Sequence, residues 1–97
     1  MRLGGIGHEK PADQNVQHLV DQLSHEIQIK TGKRYPFLKA VSFKTQIVAG
    51  TNYFIKVQAG QDYLHLRVFQ PLPCYSSTPQ LASFELSKSS DDPIEYF

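Results

Sequence analysis

The sequence predicts an α+β fold in which one long helix is wrapped by a four- to five-stranded antiparallel β-sheet. Apolar residues recur with the period of a helix between Asp13 and Thr31. Four later stretches alternate apolar and polar residues with the period of a half-buried strand, and turn-forming residues separate them. A further short strand is expected near the N-terminus.

The length and the charge of the chain limit its organisation and its partners. A chain of 97 residues is expected to form one domain, residues 1–97, and to bury roughly 65% of the surface that its unfolded form exposes. Ten basic and nine acidic side chains give a formal charge of +1, which offers no electrostatic footprint for nucleic acid or an anionic membrane. No segment approaches the ~20 apolar residues of a membrane span. We therefore expect neither nucleic acid nor a membrane as a partner.

The cysteine content and the N-terminal residues predict a cytoplasmic protein. Cys74 is the single cysteine, so no internal disulfide can form and the fold must depend on packing. Residues 1–8 lack the apolar run of a secretory signal. They contain three glycines, and we expect them to form a flexible N-terminal segment, called the trunk below.

The predicted helix begins at Asp13, a suitable N-cap, and is stopped by Gly32. Ile29 falls nearly opposite the apolar stripe, and nothing in the sequence explains it. The stripe that should face the sheet consists of Val16, Leu19, Val20, Leu23 and Ile27.

Two histidines lie on the polar face of this helix. His18 and His25 are about 10.5 Å apart along the helix axis. A shared metal would need a nitrogen of each ring at ~2.0–2.1 Å from one centre. We interpret both as solvated side chains, and we expect no metal and no cofactor.

The first two long strands form a predicted β-hairpin with its turn at residues 49–52, where Gly50 and Asn52 tolerate a positive φ. Its tip is small and apolar, although a solvated turn is normally polar. The tip could cover the core, or it could enter a narrow cleft, since glycine lets a partner approach the backbone closely. In the first strand, Val41, Phe43 and Ile47 alternate with Ser42, Lys44 and Gln46. In the second strand, Tyr53, Ile55 and Val57 alternate with Asn52, Phe54 and Lys56.

Two further strands follow. Residues 63–70 form the third predicted strand, which Pro71 and Pro73 end because proline cannot donate to a β-ladder. Residues 81–86 form the last strand, with Phe84 and Leu86 on one face. In the third strand Leu64, Leu66 and Val68 share one face, and the tail residues that we expect to dock on the body are Ile94, Tyr96 and Phe97.

The sequence offers no catalytic constellation. Cys74 and His65 are the one candidate pair of nucleophile and base, but a strand separates them and nothing near Cys74 in the sequence activates the thiol. Asp91 and Asp92 are interpreted as a solvated pair in a polar tail. We therefore expect the protein not to be an enzyme.

The residues Gln46-Ile47-Val48-Ala49-Gly50 match the Gln-x-Val-x-Gly motif of the cystatins. Residues 39–44 and 51–57 around the motif, and residues 64–70 of the third strand, resemble the type 1 cystatins, the stefins. The resemblance covers essentially the whole chain and implies the cystatin fold. It also implies a reversible, tight-binding, non-covalent inhibitor of papain-like cysteine proteases such as the cathepsins.

The resemblance further implies that three elements form one wedge that fills the protease cleft. They are the trunk, whose Leu3 would occupy a hydrophobic subsite, the hairpin tip (residues 46–50) and a second loop (residues 72–74). Leu72-Pro73 matches the family, whereas Cys74 is particular to this chain. The implied protease-binding residues are Leu3, Gly4, Gly5, Gln46, Ile47, Val48, Ala49, Gly50, Leu72, Pro73 and Cys74.

The chain departs from the stefin pattern in two further places. Only Gln61 and Asp62 separate Gly60 from Tyr63, which should affect stability more than inhibition, and Pro93 replaces a non-proline residue. The alternative hypothesis is a non-inhibitory interaction domain that assembles through a sheet edge or by exchange of its hairpin. We expect mainly a monomer, with a domain-swapped dimer as the other form.

Overall fold

The computed structural model describes residues 5–74 and 78–97. Two helices pack on one five-stranded antiparallel sheet with the strand order β1-β2-β3-β4-β5, which confirms the α+β class. The helices are α1 (Gln14–Gln22) and α2 (Ser24–Thr31); the strands are β1 (Lys10–Pro11), β2 (Leu38–Val48), β3 (Gly50–Ala59), β4 (Asp62–Pro71) and β5 (Gln80–Lys88).

The prediction of one long helix is wrong in one respect, because α1 and α2 are separated at Leu23. This residue has φ −102° and ψ 4°, and its N–H is shared between the carbonyls of Leu19 and Val20, both at 3.2 Å. The backbone therefore tightens locally, while the apolar period continues across the break and conceals it in the sequence. The predicted ends are confirmed: Asp13 accepts a hydrogen bond from the Val16 N–H at 2.9 Å, and Gly32 has φ 71° at the C-cap.

The core lies between the helices and one face of the sheet. The predicted helical stripe is buried along its whole length, whereas Ile29 is exposed. From the sheet, β3 and β4 contribute most of the core, because each of these strands has a long neighbour on both sides, whereas β2 has only the two-residue β1 on one side. The buried core comprises Val16, Val20, Leu23, Ile27, Ala40, Phe43, Ile55, Val57, Ala59, Leu64, Leu66, Val68 and Leu81.

The hairpin of β2 and β3 is confirmed, but its turn is tighter than predicted. Val48 pairs with Gly50, so Ala49 alone lies between the strands, and Asn52 belongs to β3 opposite Gln46. Gly50 supplies the positive φ, 125°, that the turn requires, so Asn52 is not needed for it.

The alternation predicted for β2 is also partly wrong. The pairing with β3 shifts between Ala40 and Ser42. Such a bulge leaves one residue, here Val41, unpaired. Val41 is consequently exposed, and Ile47 is exposed because it lies at the end of the strand beyond the helices.

The shortened connection between β3 and β4 is a two-residue loop. Ala59 pairs with Asp62 across it, and Gly60 has φ 64°, as a tight hairpin favours. At the far edge, β5 is longer than predicted and shifts its register against β4 at two points. Such bulges bend a strand, so β5 curls with the sheet.

The tail covers the outer face of the sheet, as predicted. Ile94 is fully buried, and the rings of Tyr96 and Phe97 lie 5.6 and 5.8 Å from the ring of Phe54. Lys56, itself buried, donates to the carbonyl of Ser90 at 2.8 Å. The docked tail therefore explains why both faces of β3 are buried.

Candidate functional site

Three segments meet at one end of the sheet. The β2–β3 turn lies there, and Gly50 pairs with Pro71, the last residue of β4, so the second loop leaves the sheet beside the turn. On the other side of β2, the N–H of Gly7 donates to the carbonyl of Thr45 at 2.8 Å. Because neighbouring strands are ~4.8 Å apart, these segments form an edge about 14 Å wide.

The hairpin tip presents apolar side chains to solvent. Ile47 is 71% exposed and Val48 39% exposed, in a protein whose other strand residues are mostly covered. Ala49 is exposed between them. The hairpin is thus not simply covering the core, which was one of the two interpretations of its sequence.

Gln46 has a different position from the rest of the motif. It is 4% exposed, and its side-chain oxygen accepts a hydrogen bond from the Asn52 amide at 3.1 Å. This bond joins β2 and β3 two residues before the turn. Gln46 therefore braces the hairpin from within, and its side chain is not presented on the surface.

Gly50 is buried and cannot be replaced without displacement of its neighbours. A Cβ at this position would lie 2.5 Å from the carbonyl oxygen of Gln70 and 3.0 Å from the ring of Phe69. The strand-to-strand contact that aligns the hairpin with the second loop thus depends on the absence of a side chain.

The second loop is also exposed and uncharged. Leu72 is 41% exposed, and Pro73 and the free thiol of Cys74 are exposed as well. Its first residue, Leu72, follows Pro71, which is buried against the sheet. The loop therefore extends from a fixed point next to Gly50.

The N-terminal segment approaches the same end from the side of β2. Lys10 pairs with Phe43, and residues further towards the N-terminus run antiparallel to β2 in the direction of the turn. Gly5 is exposed, and a Cβ added to it would have no neighbouring atom within 4 Å. Leu3 and Gly4, which the resemblance also implicates, lie outside the described residues.

The same segment has an attachment that the sequence did not reveal. The hydroxyl of Ser42, a buried residue, donates to the carboxylate of Glu9 at 2.6 Å. Nothing in the order of residues indicates this bond, because it depends on the register of the N-terminal segment against β2, in which Pro11 pairs with Ser42.

The described part of the edge offers hydrophobic contact surface rather than a set of catalytic groups. Residues 46–50 and 71–74 carry no charged side chain. His65, the other member of the candidate pair, is buried on β4 rather than in the loop with Cys74, and desolvation followed by the charges of Lys88 and Lys56 lowers its pKa.

The described residues also bear on metal binding and on membrane spans. In the described ranges 5–74 and 78–97, no three histidine, cysteine, aspartate or glutamate side chains gather as metal ligands would. No helix in the described part of the chain is long and apolar enough to cross a membrane.

Comparisons with known proteins cover nearly all of the chain. A profile of the cystatin domain matches residues 4–89. The chain is 44% identical to Cystatin-B of Homo sapiens over 98 aligned residues, covering 100% of both proteins. It is 43% identical to Cystatin-B of Oplegnathus fasciatus, covering 98% of that protein, and 42% identical to Cystatin-A of Homo sapiens, covering 97% of each chain.

Proposed function

The chain belongs to the cystatin family, in its stefin branch, and on that premise we propose that it inhibits papain-like cysteine proteases by occluding the active-site cleft. Cystatins are protease inhibitors and not enzymes, which agrees with the absence of a catalytic constellation in the sequence. The single observation that carries the mechanism is the alignment of the hairpin tip, the second loop and the N-terminal segment at one end of the sheet.

The mechanism requires no covalent bond. An apolar, uncharged edge can enter a cleft without leaving an unpaired charge buried there. The turn places the exposed Ala49 at the tip, where a single methyl group separates a partner from the backbone. The edge then covers the catalytic thiol without offering it a peptide bond to attack. The inhibitor is therefore not cleaved while it occupies the cleft.

The energetics favour a wedge of three elements over a single loop. Complete burial of the exposed parts of Ile47, Val48 and Leu72 would contribute about 2–5 kcal/mol. Association of two proteins costs an estimated ~4–15 kcal/mol in lost freedom. Tight binding therefore needs further contacts, and the trunk and backbone hydrogen bonds along the edge are the available sources.

We propose that the monomer is the inhibitory form and that it acts in the cytoplasm against cathepsin-type enzymes. Exchange between two copies of the chain up to the end of β2 would open the β2–β3 turn at Ala49 and remove the tip from the edge. The fold uses no disulfide, since Cys74 is the single cysteine, which is compatible with a reducing compartment.

The test is a titration of papain activity with the purified monomer in reducing buffer, followed by dilution. We expect competitive inhibition of a small peptide substrate, with activity recovered as the complex dissociates. A control variant, Ile29→Ala, alters an exposed apolar side chain on α2 and should inhibit normally. Papain turnover that is unchanged at stoichiometric inhibitor would contradict the proposed function.

A further inference from the structure

We propose that Glu9 is a positioning residue for the trunk, because its carboxylate, bonded to the Ser42 hydroxyl, fixes the base of the trunk against β2, from which the trunk runs towards the hairpin tip. The inference rests on the proposed function and adds to it a residue outside the three wedge elements. Glu9 directly follows the trunk, residues 1–8, so a bond at this position determines where the trunk begins its path.

The geometry of this bond is that of a strong interaction. The Ser42 oxygen lies 2.6 Å from the Glu9 carboxylate oxygen, within the range of about 2.5–2.7 Å for a hydroxyl bonded to an ionised acceptor. Ser42 is only 8% exposed, so its hydroxyl has little access to competing water. The donor is fixed by β2, and it can therefore hold the exposed Glu9 side chain in place.

The other attachments of this segment are few. The paired part of β1 is two residues long, and one of them is Pro11, which has no N–H to donate. On one side of β1, the Gly7 N–H donates to the carbonyl of Thr45 at 2.8 Å. On the other side, the Ala12 N–H donates to the carbonyl of Val41 at 3.0 Å. Among the described residues 5–12, Glu9 makes the one side-chain hydrogen bond to the sheet.

This arrangement has a direct consequence for binding. Without the Glu9 bond, the base of the trunk is held by its backbone contacts alone, and each residue that loosens must be ordered again in a complex at a cost of about 1–2 kcal/mol of backbone entropy. The bond thus reduces the number of residues that a protease must order. Loss of the Glu9 bond should therefore weaken inhibition only to the extent that the trunk itself contributes to binding.

The experiment measures the dissociation rate of the papain complex for variants of the full chain. Glu9→Ala should dissociate about three- to tenfold faster, as expected for loss of one hydrogen bond. Ser42→Ala should have the same effect, and the two changes together should add nothing further. Glu9→Gln should fall between the parent and Glu9→Ala, because the amide oxygen can still accept from Ser42 but forms a weaker bond than a carboxylate. Glu95→Ala removes an exposed glutamate of the tail and serves as the matched control.

A double-mutant cycle with Leu3 separates positioning from a purely structural role. If Glu9 acts through the trunk, Glu9→Ala should have less than about a twofold effect in a Leu3→Ala background, where the trunk has lost its apolar contact. Equal effects of Glu9→Ala in both backgrounds would overturn the proposal.

Amide hydrogen exchange of the free protein provides a readout that does not depend on inhibition. Exchange at Gly7 should accelerate in Glu9→Ala and Ser42→Ala, and to a smaller extent in Glu9→Gln, since the Gly7 N–H bond to Thr45 is next to the attachment. Unchanged exchange at Gly7 would overturn the proposal even if the protein inhibits papain. Failure of the parent protein to inhibit papain would instead contradict the proposed function, and with it the positioning role of Glu9. Accelerated exchange at Gly7 in Glu9→Ala would in that case still establish that Glu9 attaches this segment to β2.

Discussion

Replacement of Gly50 by alanine should destabilise the protein and displace the inhibitory edge. The backbone there has φ 125°, a conformation that costs a residue with a side chain about 1–3 kcal/mol. The new Cβ would also lie 2.5 Å from the Gln70 carbonyl oxygen and 3.0 Å from the Phe69 ring. Because the nearest atom belongs to the backbone of β4, the strand must move, which adds about 1–3 kcal/mol.

The two contributions together predict a loss of about 2–6 kcal/mol in the free energy of unfolding. For a domain of this size, each kcal/mol lowers Tm by about 4–8 °C, so thermal unfolding should occur at least ~8 °C lower. Displacement of β3 from β4 should also separate the hairpin tip from the second loop. Inhibition of papain should therefore weaken by more than about tenfold, ~1.4 kcal/mol.

Gly32→Ala provides the matched control. Gly32 also has a positive φ, 71°, but no atom lies within 4 Å of an added Cβ. It precedes β2, away from the hairpin tip, so it should lose only about 1–2 kcal/mol of stability and should inhibit normally. If Gly50→Ala proves no more destabilising than Gly32→Ala, the close contact with Gln70 is not a constraint and the reasoning is refuted.

The remaining predictions concern the thiol, the trunk and the buried histidine. Cys74→Ser should change papain inhibition by less than about tenfold, because occlusion depends on the shape of the edge and not on a thiol. Complete loss of inhibition in reducing buffer would show that the sulfur takes part in binding. Deletion of Met1 to Gly5 should accelerate dissociation without abolishing inhibition, because burial of one apolar side chain contributes at most ~1.5–3 kcal/mol and ordering costs offset part of it. If the truncated protein and the parent dissociate at the same rate from each of several papain-like proteases, the trunk does not contribute to binding. The pKa of His65 is lowered from 6.5 by desolvation and then by the charges of Lys88 and Lys56. As pH falls, His65 is therefore protonated in the unfolded chain at a higher pH than in the folded protein. Stability should be complete above the unfolded-state pKa and decline below it. Urea unfolding should show this decline and His65→Gln should flatten it; an equally steep decline in the variant would exclude His65 as its cause.

The sequence predicted the elements that have a regular period. The apolar stripe of the helices, the caps at Asp13 and Gly32 and the core face of β4 all follow from periodicity and local chemistry, and the structure confirms them. The docking of the tail was also expected, from its apolar residues.

The features that sequence reasoning missed depend on contacts between distant residues. The break at Leu23 does not interrupt the apolar period, and the bulge at Val41 is specified by the pairing of β2 with its neighbours. The attachment of Glu9 to Ser42 depends on how β1 pairs with β2.

The candidate site was identified by its motif, but the motif did not indicate what each residue does. Gln46 resembles a surface residue in the sequence, yet it is buried and bonded to Asn52. Gly50 was expected to serve the turn, whereas its contact with Gln70 also aligns two strands. These roles depend on register, which the spacing of residues within one strand cannot determine.

The most direct test of occlusion is binding to papain whose catalytic cysteine has been replaced by serine. Because the proposed edge covers the cleft without reacting with the thiol, calorimetry should show a one-to-one complex with the serine variant, and Gly50→Ala should weaken it as it weakens inhibition of active papain. Absence of binding to the serine variant, with normal inhibition of active papain, would show that the thiol takes part and would contradict the account.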